Sequence, residues 1–240
     1  SLSSISDRRP FENCPNLEYL EFPGVTSVTQ VNWGLDANNE QSKMTIVLGS
    51  PETPFTIFKS GNTGSFSPRN VVLVTENGSL DDITYTPGNP FKPDAETLIT
   101  TTSANIIVTD DEIYVELADG TVFLTKVYDN TITTYDLNNV GNSGKPASSL
   151  GYKLFYGYSY LSSVPGLESL NGVIVDYAFG KTGITDINLS NIRYIGGNAF
   201  SDCSSLKSVT LPNKSVGMGI YVFDNCSSLE NIYNHENITS

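Results

Sequence analysis

The chain contains few of the residues on which enzyme and metal sites usually depend. It has one histidine, three cysteines and one tryptophan among 240 residues, and it holds no Gly-rich phosphate loop and no His-Glu-x-x-His motif. The histidine, His235, lies in the last repeat-like stretch, which is a poor place to assemble a Ser/His/Asp or Cys/His arrangement. We therefore expect no catalytic residue, no cofactor and no zinc site. A carboxylate pair for glycoside cleavage stays open, because the chain has 26 acidic residues.

Basic residues are scarce as well. Only 13 lysines and arginines stand against 26 acidic residues, which gives a formal net charge of −13. Nucleic-acid binding depends on clustered lysine and arginine, and an anionic membrane surface would repel an acidic chain. We expect neither partner. The acidity favours solubility over calcium binding, because the candidates Asp81–Asp82 and Asp110–Glu112 lack the alternating spacing of a calcium loop.

Long apolar runs and helical periodicity are also missing. No apolar run approaches the roughly 18 residues of a membrane span, and the first six residues lack the basic and apolar regions of a signal peptide. Strand-forming residues are plentiful and are interrupted by 20 glycines and 12 prolines. The composition predicts a β-rich fold with little helix.

The chain does contain a repeated sequence motif, Phe-x-x-Cys-x-x-Leu followed by a run in which apolar and polar residues alternate. Such alternation predicts a short strand, and a proline just past it ends the strand. Looser copies, with another residue in the cysteine slot, start at Phe155 and Phe179, so that phenylalanines recur at intervals of 24, 21 and 23 residues. This spacing predicts a solenoid of stacked coils. The full copies begin at Phe11, Phe200 and Phe223.

Residues 11–23 and 155–233 resemble the BspA-type leucine-rich repeats of surface proteins in Bacteroides-like bacteria and some mucosal protozoan parasites. The family unit reads roughly Ile-Gly-x-x-Ala-Phe-x-x-Cys-x-x-Leu-x-x-Ile-x-Leu-Pro, and Ile195–Pro212 matches nearly every slot. The resemblance implies a mainly β solenoid with short parallel strands and a non-enzymatic role in adhesion or interaction. It also implies a location at the bacterial cell surface or outside the cell, with the signal removed and a lipid anchor upstream as one option. The implied partner is a host or microbial surface protein or glycan.

The middle of the chain, residues 31–150, departs from the repeat. Its copies at Phe66 and Phe91 lack the cysteine, yet strand-like runs starting at Leu17, Met44, Val71 and Thr97 are 27, 27 and 26 residues apart. We favour one solenoid domain over 1–240, with a first repeat at 1–30, degenerate coils at 31–150 and regular repeats at 151–240. The alternative is an inserted β domain, because Glu112–Leu117 and Thr121–Val127 flank a hairpin signal.

All three cysteines occupy the same slot of the repeat. Equivalent residues of stacked coils lie about 4.8 Å apart, wider than the roughly 3.8 Å between Cβ atoms that a disulfide prefers. We therefore expect Cys203 and Cys226 to form a reduced, buried ladder.

The predicted binding surface is the outward side of the strands. The repeat register places Glu21, Asn188, Thr210 and Tyr233 in one column, and Glu18, Thr185, Lys207 and Glu230 in the next. Tyr156 and Tyr160 replace serines of the better-matched coil and are expected to offer exposed rings to a sugar or an apolar side chain. An ordinary solvated face, or tyrosines packed on 130–150, is the simpler interpretation.

Three functions remain open at this point. The first is an interaction or adhesion module, for which the site residues are Tyr156, Tyr160, Asn188, Thr210, Tyr233 and Lys207. The second is a carbohydrate-binding or weakly glycan-processing protein in which the repeats are scaffold. The third is a structural spacer that binds nothing.

Overall fold

The structure is a computed structural model, which describes residues 4–5, 14, 16–23, 25, 27–29, 45–49, 55–58, 70–79, 83–85, 98–170, 172–234, 236 and 238–239. Five features named above lie outside these residues, namely Phe11, Phe66, Phe91, His235 and Asp81–Asp82. The chain forms two compact units. The first unit comprises residues 1–106 and 116–119, and the second comprises 107–115 and 120–240.

The first unit is built from two parallel sheets whose strands alternate along the chain. One sheet holds β1 (Ser4–Ile5), β3 (Ser27–Thr29), β5 (Phe55–Phe58) and β7 (Ile83–Tyr85), in that order. The other holds β2 (Tyr19–Phe22), β4 (Thr45–Gly49), β6 (Asn70–Val74) and β8 (Leu98–Thr101). Leu20, Ile46, Val71 and Leu98 are aligned across this second sheet. The four strand-like runs predicted in the sequence are therefore confirmed as neighbouring strands of one parallel sheet.

Strands β4 and β6 are buried along their whole length. Near-continuous apolar runs such as Ile46–Leu48 and Val71–Val74 are typical of parallel strands that are covered on both faces. At the end of β4, Gly49 has φ +101°, and a Cβ there would lie 2.3 Å from the carbonyl oxygen of Val74. Because that separation is too short for any side chain, the coil can pass this point only with glycine.

The predicted hairpin is present, and most of its residues belong to the second unit. Strand β9 (Ala104–Val108) is followed by β10 (Glu112–Leu117), β11 (Val122–Val127) and β12 (Ala147–Leu150), and the sheet order is β12–β11–β10–β9. The N–H of Tyr128 donates to the carbonyl of Asp111 at 2.8 Å, as expected of antiparallel β10 and β11. Strand β11 pairs with β12 in parallel. The sheet that contains the hairpin therefore also contains a parallel pair, β11 with β12.

The rest of the second unit consists of regular coils with two short strands each. One sheet holds β13 (Val173–Ile174), β15 (Tyr194–Ile195), β17 (Val216–Met218) and β19 (Ile238–Thr239), all parallel. The other holds β14 (Asp186–Asn188), β16 (Ser208–Thr210) and β18 (Asn231–Tyr233). The described residues include a three-residue 3-10 helix, Leu167–Ser169. The predicted β solenoid with little helix is confirmed.

A stack of phenylalanine rings runs through the core of these coils. The ring centroids of Phe155 and Phe179 are 5.5 Å apart, those of Phe179 and Phe200 are 5.3 Å apart, and those of Phe200 and Phe223 are 5.7 Å apart. Interplanar angles between 6° and 17° make these rings nearly parallel. Tyr135 extends the row, with its ring 5.3 Å from Phe155. The stacking of the recurring phenylalanines is confirmed, and Tyr135 is a rung that the repeat spacing did not indicate.

The cysteine slot holds hydrogen-bond donors. The thiols of Cys203 and Cys226 each donate to the backbone carbonyl of a phenylalanine in the preceding coil, Phe179 and Phe200, both at 3.1 Å. The two cysteines form no disulfide. Cys203 is buried as predicted, but Cys226 is only half-buried. The prediction of a buried thiol was wrong for Cys226, and Phe223 in the same coil is also only half-buried.

The first sequence copy forms the same turn as the later ones. The N–H of Leu17 donates to the carbonyl of Cys14 at 3.1 Å, as Leu206 does to Cys203 at 3.1 Å. This similarity of backbone geometry supports the assignment of residues 11–23 as a repeat.

Candidate functional site

Strands β14, β16 and β18 present aligned polar side chains outside the core. Asn188, Thr210 and Tyr233 occupy one row of the register, and Asp186, Ser208 and Asn231 occupy another. We call these six residues the strand face. The residues between the rows, such as Val209, point into the core. The alternation predicted from the sequence therefore places Asn188, Thr210 and Tyr233 together.

The exposure of this face differs along its length. Asn188 is exposed, Thr210 is half-buried, and 54% of Tyr233 is exposed. The hydroxyl of Ser208 donates to the carboxylate of Asp186 at 2.5 Å. This hydrogen bond is the main reason why the pKa of Asp186 lies below its ordinary value. The face therefore combines hydrogen-bonding groups, one carboxylate and one exposed aromatic ring.

Lys207 precedes β16 and is exposed. Its N–H donates to the carbonyl of Thr185 at 2.7 Å, and its carbonyl accepts from Glu230 at 3.0 Å. These bonds align Thr185, Lys207 and Glu230 as the predicted second column. Glu18 and Glu21, which the sequence placed in the same columns, belong to the first unit.

The two predicted tyrosines have different environments. Tyr160 is 64% exposed, as expected. Tyr156 is half-buried, and its ring lies edge-to-face with Tyr177 of the next coil, with centroids 6.0 Å apart. The hypothesis of two exposed rings was wrong for Tyr156, because Gly180 opposite has no side chain and leaves room for the ring.

Tyr156 belongs to a group that the sequence did not reveal. Tyr152, Lys153, Tyr156, Tyr177 and Lys181 form what we call the tyrosine–lysine cluster. The Nζ atom of Lys153 lies 5.3, 5.6 and 4.9 Å from the ring centroids of Tyr152, Tyr156 and Tyr177. The Nζ atom of Lys181 lies 5.2 Å from the centroid of Tyr156. Distances within about 6 Å are those of cation–π interactions.

A backbone feature positions this cluster. Two residues before each stacked phenylalanine, the chain adopts the left-handed conformation with φ between 55° and 59°, at Lys153, Tyr177, Asn198 and Tyr221. The same conformation recurs two residues after the phenylalanine, at Lys181, Asp202 and Asn225, with glycine in the first coil. Lysine and tyrosine rarely adopt this conformation, so Lys153 and Tyr177 gave no signal. The signal that could have found it is the asparagine or aspartate at the same offsets in later coils, at Asn198, Asp202 and Asn225.

A cavity of about 360 Å³ lies in the same unit, beside the hairpin. Its lining includes Asp111, Glu112, Asp129, Tyr135 and Asp136. Glu112 is 4% exposed, and the Tyr135 hydroxyl donates to its carboxylate. Burial raises the pKa of Glu112 above its ordinary value. No group of three or more acidic, histidine or cysteine side chains suited to a metal ion occurs in the described part of the chain.

The described residues include no helix long and apolar enough to span a membrane.

The parallel coils, the stacked phenylalanines and the outward strand face define a leucine-rich-repeat solenoid. Residues 126–240 match the family described as BspA type leucine rich repeat region, in six copies. This part of the chain is thus made of BspA-type leucine-rich repeats, and the predicted resemblance is confirmed. The family match does not extend to residues 11–23.

One solved structure is similar along most of the chain. It is a leucine rich cell surface protein from Faecalibacterium prausnitzii A2-165, with 18% sequence identity and a TM-score of 0.46. The alignment covers 97% of this chain and 62% of that chain. No curated protein shows a significant match.

Proposed function

We propose that the chain is a non-enzymatic interaction module of the bacterial cell surface, which uses the strand face to bind a host or microbial surface protein or glycan. The observation that carries this proposal is the in-register row of Asn188, Thr210 and Tyr233. Hydrogen-bonded strands fix the spacing of these side chains before any partner arrives. A preorganised surface loses less conformational entropy on binding than a flexible one does.

The resemblance to BspA-type repeats supports the proposed surface location and adhesion role. Labelling of intact source cells with an antibody against this chain should give a surface signal that mild proteolysis removes. A signal that appears only after the cells are lysed would contradict the location.

Binding is tested with the variant Asn188→Ala/Thr210→Ala/Tyr233→Ala, with Lys207→Ala as a separate variant. Glycan arrays and host surface-protein arrays are probed with both variants and with the unchanged protein. We expect the triple variant to lose at least tenfold in binding affinity. Lys207→Ala should lose less affinity, because Lys207 lies beside the rows.

One control variant shows whether the effect is local, and one further variant tests another predicted site residue. Lys214→Ala changes an exposed lysine outside the strand face, and it should bind normally. Tyr160→Ala tests the predicted tyrosine by itself. Normal binding by the triple variant would remove the strand face from the site, and failure of the unchanged protein to bind any partner would favour the spacer.

A second candidate function is weak glycan processing in the acidic cavity. Burial raises the pKa of Glu112, as a general acid requires, and other carboxylates line the same space. Release of reducing sugar from a glycan panel, abolished by Glu112→Gln, would support this candidate. Release that the variant leaves unchanged would exclude Glu112 as the acid.

A further inference from the structure

The tyrosine–lysine cluster concentrates positive charge on an acidic chain. The net charge is −13, yet Lys153 and Lys181 both lie against the ring of Tyr156. Interaction with the Tyr156 side chain raises the pKa of Lys181. Both ammonium groups are therefore held near one ring.

Neither lysine forms an ion pair with a carboxylate in the part of the chain that the structure describes. Asp202 lies near enough to contribute to the raised pKa of Lys181, but Asp176 and Asp202 both accept hydrogen bonds from other groups. Asp176 accepts from the N–H of Gly197 at 2.6 Å, and Asp202 accepts from the Asn225 side-chain amide at 3.0 Å. An ammonium group has three donors, so each lysine keeps N–H groups that can bind an external anion.

Aromatic and amide groups continue from the cluster along the coils. Tyr177, Asn198 and Tyr221 occupy equivalent left-handed positions in three consecutive coils. Asn198 is half-buried, and its side-chain amide has no hydrogen-bond partner within the described residues. Tyr221 is 66% exposed. A ligand lying along the turns would meet charge first, then a ring, then an amide and then a second ring.

We propose that the tyrosine–lysine cluster binds the terminal, carboxylate-bearing sugar of a glycan. The sugar carboxylate pairs with Lys153 and Lys181, an apolar face of the sugar ring packs on Tyr177, and a hydroxyl bonds the Asn198 amide. Charge-assisted hydrogen bonds and aromatic contacts are the interactions that such a sugar can use. This site is separate from the strand face, so it goes beyond the proposed function and does not depend on it.

The charge of the chain favours a single acidic sugar over an acidic protein or peptide. A polyanion would be repelled by the surrounding acidic surface, whereas one carboxylate next to two lysines is influenced mainly by them, because salt screens charges beyond about 8 Å. The neutral remainder of the glycan adds no repulsion.

Isothermal titration against paired glycans tests the proposal. Each pair shares a neutral core, and one member carries a terminal sialic, glucuronic or galacturonic acid. We expect at least one acidic member to bind ten times more tightly than its neutral counterpart, with weaker binding at higher salt. Lys153→Met/Lys181→Met should abolish that preference, because methionine keeps an unbranched side chain at each left-handed position.

Lys214→Met is the matched control, since it removes one exposed positive charge elsewhere, and it should bind within twofold of the unchanged protein. The triple strand-face variant should also keep the preference, which separates this site from the proposed function. Three results would overturn the proposal: no acidic member exceeds its neutral counterpart, the double lysine variant keeps the preference, or an aspartate-rich peptide binds as tightly as the acidic glycans.

Discussion

At the residue scale, the cysteine slot of the repeat selects a hydrogen-bond donor. Tyr158, Thr182, Cys203 and Cys226 occupy it in successive coils, and each donates to a backbone carbonyl. A buried carbonyl without a partner is costly, so a donor at this slot stabilises the stack. The sequence showed the recurrence of cysteine but not this role. Tyrosine and threonine differ from cysteine in size and shape, and what the three residue types have in common here is a hydrogen-bond donor.

This environment predicts thiols of low reactivity. Burial raises the pKa of the Cys203 thiol and raises that of Cys226 to about 11. Because the thiolate is the reactive form, alkylation of native Cys226 should still accelerate above pH 10, and Cys203 should react only on unfolding. Mass spectrometry after alkylation at stepped pH measures both rates. A Cys203–Cys226 crosslink, or fast labelling at pH 7, would contradict this prediction.

A second prediction at this scale concerns Glu112. Its folded-state pKa is raised above the ordinary 4.5, so the folded state binds this proton more tightly than the unfolded chain does. The stability from this group is present below pH 4.5 and is lost as the pH rises through the folded pKa. Glu112→Gln should therefore flatten the pH dependence of the free energy of unfolding above pH 4.5.

The variant Tyr135→Phe removes the hydroxyl that donates to Glu112 and keeps the ring against Phe155. The variant should lower the free energy of unfolding by about 1–3 kcal/mol at neutral pH, because a buried carboxylate loses a hydrogen-bond donor. The loss should be smaller at pH 4. Urea unfolding at both pH values measures the difference. Equal losses at the two pH values would show that the hydroxyl does not stabilise the ionised carboxylate.

At the scale of the elements, strands were predictable and turns were not. The sequence runs that form β4 and β6 predict strands by their composition, since near-continuous apolar residues are typical of parallel strands that are buried on both faces. The left-handed turns at Lys153 and Tyr221 carry no such signal, because lysine and tyrosine rarely adopt that conformation. The strand face could therefore be predicted, whereas the tyrosine–lysine cluster, which depends on those turns, could not.

Tyr221 allows the turn geometry to be tested without touching the core. It is 66% exposed and has φ 57°. Tyr221→Val should destabilise the protein by about 1–2 kcal/mol relative to Tyr221→Asn, because β-branched residues tolerate the left-handed region poorly and asparagine tolerates it well. Denaturant unfolding gives the two values. Tyr233→Val, placed in a strand, is the matched control and should cost less; equal stability of the two Tyr221 variants would contradict the turn assignment.

At the scale of the whole molecule, stability in each unit depends on neighbouring coils. Repeat proteins gain stability from the interfaces between adjacent repeats, and in the second unit the phenylalanine stack forms those interfaces. The sequence predicted this arrangement because the phenylalanines recur at nearly constant spacing. The single solenoid domain over 1–240 stays a prediction, and the sequence was least informative over 31–150, where the repeat copies lack the cysteine that marks the regular coils.

The position of a phenylalanine in the stack should determine the cost of removing it. Phe200→Ala should destabilise by about 3–5 kcal/mol, because Phe200 is fully buried between two rings. Phe223→Ala should cost less, since Phe223 is half-buried. Denaturant unfolding monitored with hydrogen exchange separates the two. A larger loss for Phe223→Ala would contradict the order of the coils.

The most direct test of the stacked coils is a map of contacts between phenylalanine rings. Nuclear Overhauser effects are measured on protein in which only phenylalanine rings are protonated, and single Phe→Leu variants assign the signals. The structure predicts cross-peaks for Phe155 with Phe179, Phe179 with Phe200 and Phe200 with Phe223, whose centroids are 5.3–5.7 Å apart. It predicts none between rings two coils apart. Absence of the three cross-peaks, or a strong peak between Phe155 and Phe223, would contradict the solenoid.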